Sequence, residues 1–177
     1  MASLNPISVL FCAAALFCSS ALAQHNLDDA QKQWPDLRLF DPDKIRNLSS
    51  ELKADLTRRG CRIPMFTKWD GPHNVIRGNF RDNGSNDVAV LCLVDDDMSI
   101  IIYGNGSAAR AEQIRKFRAN AYRMIHKVSP FVLNKRAIRD KATERLPDFN
   151  HDAIDDGPVG GRSETTYFHD GAWVQVF

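Results

Sequence analysis

Hydrophobic positions recur along the 177-residue chain in several distinct rhythms, and each rhythm predicts a different element. The first is an unbroken apolar stretch from Ile7 to Cys18, followed by Ser19-Ser20 and the small-residue pattern Ala21-Leu22-Ala23. That order reads as a secretory leader over residues 1–23, cleaved between Ala23 and Gln24. So short a stretch cannot cross about 30 Å of hydrocarbon, which takes about 20 residues, so no integral membrane segment is expected after cleavage. The second rhythm is helical. From Asp43 through Arg59, Ile45, Leu48, Leu52 and Leu56 recur at intervals of three and four, with Asp41-Pro42 as a start and Gly60 as a stop. Residues 24–42 are read as an extended segment leading into a single domain over 43–177.

Strand rhythms follow. Asn74 to Phe80 predicts a short strand between Gly71-Pro72 and Asp82-Asn83-Gly84. Val88 to Val94 and Met98 to Tyr103 are nearly continuous apolar runs separated by three aspartates, which predicts a hairpin buried on both faces. Glu164 to His169 and Ala172 to Phe177 predict a closing hairpin turned by Asp170-Gly171. Between these hairpins the pattern is mixed. Ile114, Phe117, Ala121, Ile125 and Val128 share one helical stripe, whereas Tyr122, Met124, His126 and Val128 alternate as a strand would. A helix from Ala108 to about Ala119 is expected, with residues 120–128 left open between helix and strand. A further helix is expected from Asn134 to Leu146, with Ala137, Ile138, Ala142 and Leu146 inward and basic residues outward, stopped by Pro147. Together these elements predict an α+β domain with a largely antiparallel sheet and two or three helices packed on one side.

Composition changes this picture in two places. Lys and Arg number 23 against 22 Asp and Glu, so the whole molecule exerts no field that would attract nucleic acid. Locally the balance is uneven: residues 107–145 carry 11 basic and 3 acidic groups, and residues 146–177 carry 1 and 6. Either the basic segment is neutralised by the acidic tail and the turn Asp95-Asp96-Asp97, or it offers a basic face to lipid headgroups, cell-wall polymer or a partner protein. Phe117, Tyr122 and Phe131 lie at spacings that suit a core, which makes nucleic acid an unfavoured partner. The second place is cysteine. Cys12 and Cys18 leave with the leader, and Cys61 and Cys92 remain. In an oxidising compartment such a pair forms one disulfide, and the alternative is two buried thiols.

The most distinctive run is Gly78-Asn79-Phe80-Arg81-Asp82-Asn83-Gly84-Ser85-Asn86-Asp87, which leads straight into the apolar run from Val88. Oxygen-bearing side chains at Asn79, Asp82, Asn83 and Asp87 around a glycine turn resemble the calcium-loop repeat of integrin-alpha-like propellers, the FG-GAP or VCBS repeat. The resemblance implies a calcium-stabilised structural module, since a hard cation takes six to eight oxygens. Arg81 stands where that repeat supplies an oxygen, and a single copy is present. Read with Gly60-Cys61-Arg62-Ile63-Pro64, His151-Asp152-Ala153-Ile154-Asp155-Asp156-Gly157 and Tyr167 to Trp173, the run resembles a family of small exported bacterial proteins of unknown function. That likeness implies export and a single domain, and no activity.

Candidate chemistry is concentrated at His151, Asp152, Asp155 and Asp156, where an imidazole and three carboxylates lie within six residues. These residues offer ligands for a divalent metal, with His126 or His169 completing the shell, as in a metal-dependent hydrolase. The competing reading is structural: Asp152 caps a single turn, His151 bonds a backbone group, and Asp155-Asp156-Gly157 makes the exit turn. No nucleophile elbow or phosphate-cradling loop occurs. Trp69, beside Asp70-Gly71-Pro72, and Trp173 are candidates for a sugar platform or for the core. The leading expectation is an exported, non-catalytic binding module for a protein or envelope component. The alternatives are the metal-dependent hydrolase and the calcium-stabilised module.

Overall fold

In the computed structural model, residues 29–119, 122–141 and 146–177 are described. The expected leader and cleavage site lie outside these residues. Among the described residues, a helical stretch over 29–33, within the segment expected to be extended, is followed in chain order by ten strands and two further α-helices. Strand β1 (Leu37–Phe40) pairs with β2 (Ile63–Phe66), so the segment expected to be extended enters the fold, with Leu37 fully buried. Strands β3 (Val75–Gly78), β4 (Asp87–Val94), β5 (Asp97–Tyr103) and β6 (Ala111–Arg118) form one antiparallel sheet in sequence order. A second is built from β7 (Arg123–Val128), β8 (Ala153–Pro158), β9 (Glu164–His169) and β10 (Ala172–Gln175).

Alternation in β4 and β5 explains why both strands read as continuous apolar runs. Ala89, Leu91, Leu93, Met98, Ile100 and Ile102 enter the core shared with Ile125 and Ile154 of the second sheet. Val88, Val90, Cys92, Ile101 and Tyr103 point the other way, onto helix α1 (Ser50–Arg58), where Leu52 and Leu56 meet them. Helix α2 (Pro130–Arg139) packs Leu133 and Ala137 against Val128, Ala153 and Tyr167 of the second sheet. The helices therefore cover different sheets, and the expected packing on one side does not hold.

Asn74 is one of the residues that tie the sheets together. Asn74 is fully buried at φ 60°, a left-handed conformation that asparagine tolerates better than most residues. Its side chain donates to the Pro64 carbonyl at 2.5 Å and accepts from the Ile125 amide at 2.9 Å, while its own amide donates to the Ile125 carbonyl. Its carbonyl accepts from the Leu91 amide. Strands β2, β4 and β7 thus meet at a single side chain and its peptide groups.

Several elements depart from the sequence reading, each for an identifiable reason. The helix expected over Asp43–Arg59 divides into a 3-10 turn at Pro42–Lys44 and α1, because the Ser49 hydroxyl accepts from the Leu52 amide and starts the helix afresh. Gly60 does end it, at φ 74°. The helix expected over 108–119 is strand β6. Its register against β5 shifts between Ile100 and Ile101, leaving Ile114 as an extra residue between Gln113 and Arg115. That bulge lets Ile114 and Phe117, three apart, both pack on the core, which imitates a helical period. The open stretch over 120–128 holds β7 from Arg123. Helix α2 begins four residues earlier than expected, at Pro130 in the first turn, and ends at Arg139. Ile138, expected inward, is exposed, because Leu133 and Ala137 define the buried face. The hairpins at Asp95-Asp96 and Asp170-Gly171 form where expected, with Asp170 and Gly171 both at positive φ.

Cys61 and Cys92 form a disulfide with Cα atoms 5.2 Å apart, closing the end of α1 against β4. Such a bond fits an oxidising compartment. Among the described residues no helix is long and apolar enough to cross a membrane.

Candidate functional site

The acidic cluster that the sequence brings together is taken apart by β8. Asp155 and Asp156 are neighbours on a strand and so face opposite sides. Asp155 turns to α2, where Arg136 grips it at 2.9 and 2.8 Å and Thr165 donates to it. Asp156, fully buried, turns to the first sheet and is held by Arg115 at 2.8 Å and Arg123 at 2.5 Å. Arg115 also reaches Glu164 at 2.6 Å, and Arg123 lies over the Phe117 ring. The expected exit turn at Asp155-Asp156-Gly157 is thus a strand interior. Asp152 accepts from the Asn79 amide and His151 bonds the Asp152 carbonyl through Nδ1 while stacking on Tyr167.

The calcium-like loop closes on itself. Asp87 is buried and accepts from the Phe80, Arg81 and Asn105 amides and the Ser85 hydroxyl. Its oxygens meet donors where the repeat would present a cation. Arg81 pairs with Glu112, and Asp82 and Asn83 face outward. Asp82, Asn83 and His151 do share the wall of a cavity of about 400 Å³ with Asp148, His169 and Asp170. Among the described residues, no group of three or more His, Cys, Asp or Glu side chains is placed to hold a metal ion.

The basic segment is largely neutralised inside the fold. Besides the pairs on Asp155 and Asp156, Lys116 and Arg118 pair with Asp97 of the three-aspartate turn.

What the sequence did not reveal is a groove around Trp69. A cavity of about 460 Å³ is lined by Lys44, Arg46, Met65, Thr67 and Trp69 among others. A second, of about 490 Å³, is lined by Ile76, Arg77, His126 and Lys127. Asn47, Gly71, Pro72 and Val75 belong to both walls, so the two cavities flank one loop. Neither lining contains a carboxylate.

The loop after β2 holds Trp69 in place by local bonds. His73 accepts from the Phe66 amide at Nε2 and bonds the Gly71 carbonyl at Nδ1, which fixes the loop's return. A Cβ at Gly71 would lie 3.2 Å from Trp69 Nε1, so glycine lets the indole lie against the backbone. Trp69 is 53% exposed, and its ring stands 5.8 Å from that of His126 and 6.4 Å from that of His73. Burial pushes the His126 pKa below its ordinary value, against the opposing pull of a hydrogen bond to the Pro72 backbone. Arg77 donates to the Asn47 carbonyl at 2.7 Å. Lys44 is paired with Asp43, and Lys127 lies 3.8 Å from Asp152. The arrangement offers an aromatic face bordered by cations, which suits a ligand with a flat apolar surface and negative charge.

No protein-family model matches the chain. No curated protein and no solved structure matches it either.

Proposed function

We propose that this protein is an exported, non-catalytic binding domain that holds an acidic glycan of the cell envelope in the groove around Trp69. The observation that carries the proposal is the composition of that groove: Lys44, Arg46, Arg77 and Lys127 line it without a single carboxylate, in a chain whose charges nearly cancel. A sugar ring stacks on an exposed indole through its C–H face, and carboxylates on the same polymer meet the flanking cations. Two cavities on either side of one loop suit an extended chain more than a compact metabolite. Export is supported by the leader pattern and by the Cys61–Cys92 disulfide. A binding role is supported over hydrolysis by the state of the candidate carboxylates, which are engaged by guanidinium, amide and hydroxyl donors.

The test uses a galacturonic acid hexamer as the acidic probe and cellohexaose as the neutral one, with tryptophan fluorescence and calorimetry as readouts. The acidic hexamer is expected to bind and to perturb Trp69 emission, with an affinity that falls as salt rises. Reversing two exposed cations in Arg46→Glu plus Lys127→Glu is expected to weaken binding roughly tenfold. Equal binding of the neutral hexamer, or wild-type affinity in the double variant, would overturn the assignment.

A further inference from the structure

Helix α2 places its apolar side chains on both of its faces. Leu133 and Ala137 are buried against the second sheet, and Arg136 is clamped to Asp155 and Thr165. These contacts fix the roll of the helix, so Phe131, Lys135 and Ile138 form one stripe at the centre of its solvent side. Phe131 is 67% exposed and Ile138 70% exposed, with Val132 exposed beside them. Among the described residues, Trp69 is the only other large hydrophobic side chain that is exposed. Exposed apolar residues scattered singly need no explanation, but three on one ten-residue helix do.

Charge identifies what would cover them. Lys135 sits between Phe131 and Ile138, its Nζ 4.3 Å from the centre of the Phe131 ring. Neither Lys135 nor Lys141 has a carboxylate within ion-pair distance among the described residues, while most cations of the basic segment do. Arg139 and Asp140, which pair with each other in solvent, complete the end of the helix. A protein groove that buried Phe131 and Ile138 would also have to desolvate the ammonium between them. At a bilayer surface the two requirements separate: the apolar side chains enter the acyl boundary and the lysine stem extends back to the phosphates.

We infer that the outer face of α2 docks this protein on a lipid bilayer bearing anionic headgroups, with Phe131, Val132 and Ile138 as the inserting residues and Lys135 and Lys141 as the headgroup contacts. The inference is independent of the groove around Trp69, because it involves no residue of that wall.

Flotation with vesicles of phosphatidylcholine alone, or with three parts in ten of phosphatidylglycerol, tests it at low salt. The protein purified after export is expected to float with the anionic vesicles and remain below with the neutral ones. Phe131→Ser plus Ile138→Ser is expected to abolish flotation, and Lys135→Glu to weaken it roughly tenfold, since each basic group near an anionic surface contributes on the order of a fivefold factor. Both variants alter exposed side chains, and unchanged thermal melting verifies that they remain folded. Phe131→Trp supplies a second readout, a blue shift in emission on adding anionic vesicles. Equal flotation on both vesicle types that the substitutions leave unchanged would overturn the inference. So would concentration-dependent dimerisation without lipid that the double variant abolishes, which would assign the face to a second copy of the chain.

Discussion

Asp156 shows how much of this fold rests on individual buried groups. Its carboxylate joins β8 of one sheet to Arg115 on β6 of the other and to Arg123 beside it. Removing it in Asp156→Ala leaves the Arg123 guanidinium, largely withdrawn from water, without a carboxylate partner and Arg115 with Glu164 alone, and a loss of about 3–5 kcal/mol is expected in chemical denaturation. Asp55 has a related role at the other end, where burial favours its neutral form but Arg59, the Tyr103 hydroxyl and Arg58 together hold its pKa below the ordinary value. His126 titrates in a more accessible range. Its folded pKa lies below the ordinary 6.5, so the unfolded chain takes up the proton first. The corresponding stability is complete above about pH 6.5 and declines as the pH falls toward the folded value. Thermal melts between pH 7.5 and 5 are expected to show a steeper decline for the wild type than for His126→Gln. His73 and Asp155 act on this ring with opposite signs, and Lys127 is its chain neighbour. As the pH falls through the folded His126 pKa the groove gains a positive charge, so binding of the galacturonic acid hexamer is expected to tighten there more in the wild type than in the variant.

At the scale of elements, what the sequence announced and what it concealed divide along physical lines. The β4–β5 hairpin was legible because burial on both faces makes a strand uniformly apolar, and the final hairpin because Asp170-Gly171 suits a turn with two positive φ values. β6 was not legible: its bulge at Ile114 replaces the two-residue period with a three-residue spacing, which is the signature of a helix. α2 was found only in part, since its inward side is defined by Arg136 reaching Asp155, a contact invisible to a count of apolar positions. The candidate site was the least visible. His151, Asp152, Asp155 and Asp156 looked like a cluster because they are close in sequence, yet a strand sends successive side chains to opposite faces. Arg46, Arg77 and Lys127 come from three separate elements or turns and share no spacing, so nothing short of the fold could gather them.

For the whole molecule, the Cys61–Cys92 bond closes a loop across 31 residues that contains β2, β3 and the loop carrying Trp69. Replacing both cysteines by serine is expected to cost about 3 kcal/mol of stability, read from denaturant unfolding, because the unfolded chain regains the freedom of that loop. The free edge of the first sheet has a different consequence. β6 ends the ladder and carries Glu112, Arg115, Lys116 and Arg118 along a strand offset by its bulge. A neighbouring copy stacking parallel and in register on this edge would set like charges against each other along a ladder interrupted by the bulge. The outermost strand is therefore guarded against amyloid-like stacking, a safeguard of particular use to a chain that folds after the export proposed above.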